Sequence, residues 1–129
     1  MVTPTEAHAP IGPYCIGKIV LQENGGGKWG FSSGSLGMCP QSGELVSDEP
    51  ATQSDRALKN LQAVAEANGF TLADAVKTTV FLTDMGDFAE VNKVYAKYFT
   101  GEHPARSCVA VHQLPKGAKF EVEAIFYKV

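Results

Sequence analysis

Two charged residues in the C-terminal part of this sequence could act together on a small anionic molecule. Arg106 opens the apolar run "ARSCVAV", and Glu121 sits in "FEVEAIFYKV". A guanidinium is a planar fork of donors that matches a carboxylate bidentately. A carboxylate beside a pocket can hold a water or take its proton as a general base. Each residue also has a plainer explanation, as a solvated charge on a sheet face. The loop between the two runs hides their register, so both explanations stay open at this level.

Other pairings are weaker. Cys108 could be a nucleophile with His112 as its base. A strand rises about 3.3 Å per residue, so the two share a face but stand roughly 13 Å apart, beyond hydrogen-bond reach. Cys108 is therefore expected to be an unreactive thiol. His8, His103 and His112 are scattered, with no acid–histidine spacing of a metal site, and no metal is expected. The glycine run "ENGGGK" ends in Lys28-Trp29 and then strand-like sequence, not the Lys-Ser/Thr and helix of a phosphate loop. Cys15, Cys39 and Cys108 are odd in number and widely spaced, the pattern of free thiols in a reducing compartment.

These residues must be positioned by short elements. "CIGKIVLQ" and "KWGFSSG" flank an Asn-Gly turn and predict a β-hairpin. "PQSGEL" is a second turn. Leu58, Leu61, Val64 and Ala65 recur at helical spacing over 51–68, with Pro50 at the entrance and Gly69 past the exit. "AVKTTVFLT" alternates, which places Val76, Thr78, Val80 and Leu82 on one face of a strand. A second helix is predicted over 87–99, with Asp87 and Glu90 as a capping box and Phe88, Val91, Tyr95 and Tyr98 as its apolar stripe. Strands over 105–111 and 120–127 follow. On the first of these, Arg106, Cys108 and Ala110 share one face and Ser107, Val109 and Val111 the other.

The order ββαβαββ with two amphipathic helices predicts an α+β fold, a mixed sheet with both helices on one face. Phe120, Val122, Ala124 and Phe126 should meet the helices. Glu121, Glu123, Ile125, Tyr127 and Val129 should form the other face, where acids mix with large apolar groups. Such a face predicts contact with another copy.

Bulk properties narrow the class. The 129 residues fit one domain, 1–129, and 44% hydrophobic with 19% charged residues is a globular composition. The net charge is −3 and no Lys/Arg cluster occurs, which disfavours nucleic acid as a partner. No apolar run approaches the ~20 residues of a membrane span, and "MVTPTEAHAP" has neither a signal-peptide core nor an arginine. A cytoplasmic protein is expected.

Four stretches, in this order, resemble the RidA superfamily (also called YjgF or L-PSP): "APIGPY" at 9–14, "SSGSL" at 32–36, "VKTTVFLTDMGDFAEVN" at 76–92 and "PARSCVAVHQLPKGAKFEVEAI" at 104–125. The resemblance implies a bacterial chorismate-mutase-like fold. It implies a homotrimer whose sheets form a central β-barrel, with clefts between subunits. The implied activity is cofactor-free hydrolysis of imines and enamines, such as 2-aminoacrylate, to 2-keto acids and ammonia. Arg106 would bind the substrate carboxylate and Glu121 would position the water. The Cys108 backbone would contact substrate, and Tyr14, Ser33, Gly34 and Asn92 would line or support the cleft. Alternatives from other classes are an L-PSP endoribonuclease or translation inhibitor, and a non-catalytic module that binds 2-keto acids. Departures from the family pattern lie at Ser35, Gly37, His103 and His112, and bear on pocket size and substrate preference.

Overall fold

The computed structural model describes residues 1–129, the side chain of Asn24 excepted. Eight elements build the fold: β1 (Gly17–Leu21), β2 (Lys28–Ser32), β3 (Ser35–Leu36), α1 (Pro50–Ala67), β4 (Ala75–Leu82), α2 (Phe88–Tyr98), β5 (Ala105–Ala110) and β6 (Phe120–Lys128). The α+β class and the two helices follow the sequence pattern. β3 is an addition to it, a two-residue strand too short to show a period.

The strands form one mixed sheet in the order β1-β2-β6-β4-β5, with β3 also paired to β6. The first two strands are the predicted hairpin, paired antiparallel from Gly17–Ser32 to Leu21–Lys28. The Asn24 side chain of that turn lies outside the described residues. β4 and β5 are parallel and joined through α2, while β4 and β6 are antiparallel. β6 is therefore the central strand and β5 an edge. The two C-terminal strands are not neighbours, because β4 lies between them.

Alternation along β6 sorts the two faces. Phe120, Val122, Ala124 and Phe126 are almost wholly buried beneath the helices, with Val80 and Leu82 of β4 and Leu58, Leu61 and Ala65 of α1. Burying each large apolar side chain contributes roughly 1.5–3 kcal/mol, which makes this cluster the main source of stability. α1 begins with Pro50 in its first turn, where the missing N–H costs nothing, and ends before Gly69 at φ 83°.

Two local expectations need correction. Val76 does not share a face with Thr78. A β-bulge puts Ala75 opposite Phe126 and Lys77 opposite Ile125, so Val76 is the extra residue; Ala75 takes the buried position and Val76 is exposed. An alternating sequence cannot register one inserted residue. The capping box at Asp87 and Glu90 also does not form, since the Asp87 side chain caps nothing. A short 3-10 turn, Met85–Asp87, precedes α2, and Asp84 caps it by accepting the Gly86 N–H at 2.8 Å.

The face away from the helices carries Phe31, Trp29, Ile125, Tyr127, Phe81 and Val109 beside Glu121, Glu123 and Lys77. The Trp29 and Tyr127 rings lie 4.7 Å apart, and Phe31 is 41% exposed. This is the mixed acid and apolar face expected from the alternation of β6. Among the described residues, no helix is long and apolar enough to cross a membrane.

Candidate active site

Arg106 lies on the helix-side face of edge strand β5, opposite Thr78 of β4. Its environment comes from α2, where Phe88, Asn92 and Tyr95 are spaced by four and three residues and so share one helical face. The guanidinium carbon sits 4.6 Å from the Tyr95 ring centroid and 5.6 Å from that of Phe88. Nη1 donates to Asn92 Oδ1 at 2.8 Å. Tyr95 is fixed in turn by a 2.7 Å hydrogen bond between its hydroxyl and that of Thr78. Burial raises the Tyr95 pKa, against the pull of Thr78 and Arg106, so its ring stays a neutral platform. Ring faces attract a cation, and an amide oxygen fixes its rotation.

No acid joins this arrangement. Among the described residues the one ion pair within 4 Å joins Lys59 to Asp55. Arg106 thus keeps donors free for an anion from outside. It opens on a cavity of about 370 Å³ lined also by Asn92, Tyr95, Ala96, Phe99, His103 and Pro104. Cys108 follows two residues later on the same face, half-buried against the core. Burial raises its thiol pKa although Arg106 pulls it down, which fits an unreactive thiol rather than a nucleophile.

Glu121 belongs to a different place. It lies on the opposite face of the sheet, at the β6 position paired with Leu36 on one side and Phe81 on the other. A second cavity, about 320 Å³, is lined by Ile11, Tyr14, Ser33, Gly34, Pro115 and Glu121. Gly34 runs so close that a Cβ there would overlap Glu121 Oε1 and displace the carboxylate from this position. Ser33 ties the N-terminal segment to this cavity. Its hydroxyl donates to the Cys15 carbonyl at 2.7 Å and its N–H to that of Ile16 at 2.8 Å.

Burial, and then the neighbouring Glu123, push the Glu121 pKa above the usual carboxylate range. An acid raised in the fold favours folding below its ordinary pKa of about 4.3 and loses that contribution as pH rises through its folded value. At pH 7 the ionised group is therefore a cost. Glu121→Gln is expected to melt about 2 °C higher than wild type at pH 7, the gap closing towards pH 4. A lower melting temperature at pH 7 would contradict this account of the burial.

The expected site residues thus fall into two groups. Tyr14, Ser33, Gly34 and Glu121 surround one cavity; Asn92 and Arg106 surround the other, with Cys108 beside them. Within one copy the groups are separated by β4 and face opposite sides of the sheet. Sequence reading missed Tyr95 and Phe88 as the seat of the guanidinium, taking them only as core. Their spacing around Asn92 was the available signal. Of the departures from the family pattern, His103 lines the Arg106 cavity, while His112 lines a separate surface hollow with Leu114 and Lys119. Ser35 is buried in β3, and Gly37 abuts the backbone of Gln53 in α1, where a Cβ would clash.

Comparison with known proteins decides the family. The family model described as Endoribonuclease L-PSP matches residues 5–128. The chain belongs to the L-PSP family, within the RidA superfamily. One L-PSP relative, a RutC family protein of Sinorhizobium fredii, is 44% identical over 96% of this chain and 94% of its own length. Another, the human 2-iminobutanoate/2-iminopropanoate deaminase, is 38% identical over 97% of this chain and 87% of its own. The L-PSP fold seen here superimposes on the crystal structure of Escherichia coli TdcF with bound serine at a TM-score of 0.86. That pair is 39% identical, with 98% of this chain and 96% of the other covered.

Proposed function

We propose that this protein is a cofactor-free deaminase that hydrolyses 2-imino acids and their enamine tautomers to 2-keto acids and ammonia, at a site shared between copies. The observation that carries the reading is Arg106. It is seated on Tyr95, rotated into place by Asn92, without an acidic partner, and open to a cavity sized for a small molecule. Such a group is built to receive a carboxylate. The human relative's name supplies the substrate class, and TdcF holds serine, a small 2-amino acid.

The chemistry follows from the groups. Arg106 fixes the substrate carboxylate and thereby aims the imine carbon, a positioning effect. A water held by Glu121 attacks that carbon while the carboxylate takes its proton. That proton passes to nitrogen to give a carbinolamine; its hydroxyl proton then follows to nitrogen, the C–N bond breaks as the C=O bond forms, and ammonia leaves a 2-keto acid. A carboxylate raised by burial suits this role, since a base works best when its pKa approaches the working pH.

Because Arg106 and Glu121 face opposite sides of one sheet, a complete site needs two copies. The mixed face bearing Phe31, Phe81, Val109 and Ile125 is suited to bury against its equivalents, and a trimer closed around a central barrel would satisfy it. The partners are then small imino and keto acids and two further copies of the chain.

The test is a coupled assay. A serine or threonine dehydratase generates the imine, and its disappearance is followed with and without this protein. Faster loss with protein is expected. Loss at the control rate sinks the deaminase reading, and 2-keto-acid binding without turnover would then favour a binding module. A mass of one chain in solution would sink the shared site.

A further inference from the structure

His8 is buried to 2% exposure, yet no step above uses it. Its two ring nitrogens have fixed partners. The Leu36 N–H donates to Nε2 at 3.0 Å, and Nδ1 lies 3.0 Å from the Ala9 carbonyl. The first bond requires a bare Nε2, so the hydrogen is on Nδ1 and donates to Ala9. Only the neutral ring satisfies both. A proton on Nε2 would point one donor at another across 3.0 Å.

What His8 holds is the short strand β3 beside Glu121. Leu36 is the residue paired with Glu121 across β3 and β6, two positions after Gly34. Its carbonyl accepts from Asn60 Nδ2 at 2.9 Å, so α1 holds one side of Leu36 and His8 the other. The segment that begins at His8 carries Ile11 and Tyr14 to the same cavity. We propose that His8 is a positioning residue for the Glu121 half-site, and that its protonation loosens both Leu36 and the segment carrying Tyr14.

The surroundings bias the ring towards neutrality. Burial is the main cause of its lowered pKa, the Ala9 carbonyl opposes it, and Arg56 of α1 lowers it further. Arg56 is held over the segment by Nη2 donating to the Glu6 carbonyl at 3.2 Å and Nε to Asn60 Oδ1 at 3.1 Å. From β3 the ring accepts the Leu36 N–H named above, and Glu6 on its own segment is exposed. A base lowered in the fold stabilises it above the unfolded value, about 6.5, and that contribution is lost as pH falls below it. The loosening therefore sets in on the acid side of neutrality.

The effect on turnover rests on the deaminase reading; the effect on Leu36 does not. The experiment accordingly has two readouts on the intact protein between pH 7.5 and 5.5. One is Leu36 amide exchange by NMR, corrected for the intrinsic rate. The other is imine loss relative to the no-protein control. In wild type, both are expected to change by about fivefold as pH falls, the equivalent of one neutral hydrogen bond. His8→Ala should show the faster exchange at every pH. His8→Gln offers an amide oxygen to the same N–H and cannot titrate, so it should restore Leu36 protection and remove the acid-side change. Protonation of Glu121 lowers turnover equally in wild type and His8→Gln, so the difference between their profiles belongs to His8. An unchanged acid-side rise in exchange in His8→Gln overturns the proposal. If no variant turns over imine at any pH, the deaminase reading fails and the exchange data still decide the role of His8.

Discussion

Arg106→Ala is expected to lower kcat/KM for a 2-imino acid by at least about 10²-fold, measured in the dehydratase-coupled assay. The guanidinium does two things that alanine cannot. In the proposed mechanism it would form charge-assisted hydrogen bonds to the substrate carboxylate and, by forming two in one plane, would set the angle at which the imine carbon meets the water. KM should rise and kcat should fall together, because both capture and aim are lost. Arg106→Lys should recover little, since an ammonium keeps the charge but neither the fork nor the flat contact with Tyr95. The fold should be indifferent. Arg106 is exposed on an edge strand, and the Tyr95 ring it covers is held independently by Thr78, so stability is expected to shift by about 0.5 kcal/mol or less. An Arg106→Ala protein that turns over at the wild-type rate removes the central residue from the mechanism.

Mixing two dead variants should make a live enzyme. Arg106→Ala and Glu121→Gln are each expected to be inactive when expressed alone. Co-expressed with different tags and purified through both, they should regain activity. In the proposed shared site, Arg106 would come from one copy and Glu121 from its neighbour. Purification through both tags leaves closed trimers that hold both variants, and in each of these one of the three sites is whole, about one third. The gain from background to about a third of wild-type activity is large and needs no new contact. Doubly tagged assemblies without activity would mean that both groups act from the same copy, and would sink the shared site while leaving the deaminase chemistry standing.

The sequence revealed faces better than neighbours. Alternation in "FEVEAIFYKV" placed Phe120, Val122, Ala124 and Phe126 beneath the helices correctly, and it put Arg106 and Cys108 together on β5. Periodicity records which way a side chain points because each strand carries its own alternation. It carries no information on which strand comes next in the sheet. That is why Arg106 and Glu121, in runs joined by one short loop, turned out to lie two strands apart on opposite faces. The bulge at Val76 escaped for a related reason, since one extra residue shifts the alternation without altering composition. Beyond Arg106 and Glu121, residues of the cavities were legible only where a motif marked them. Tyr14, Ser33, Gly34 and Asn92 came from resemblance, whereas the seat formed by Tyr95 and Phe88 required α2 to be docked on β5.

The central position of β6 has a kinetic corollary. The hairpin of β1 and β2 and the β4–α2–β5 unit join the same sheet only through β6, which follows all of them in the chain. A growing polypeptide can form the hairpin, helices and parallel pair early, but their apolar faces have no common partner until 120–128 has been made. Most contacts of the sheet span long stretches of sequence, an arrangement that slows folding. During synthesis the nascent chain must therefore carry two unfinished half-sheets with bare edges, and β6 closes both at once.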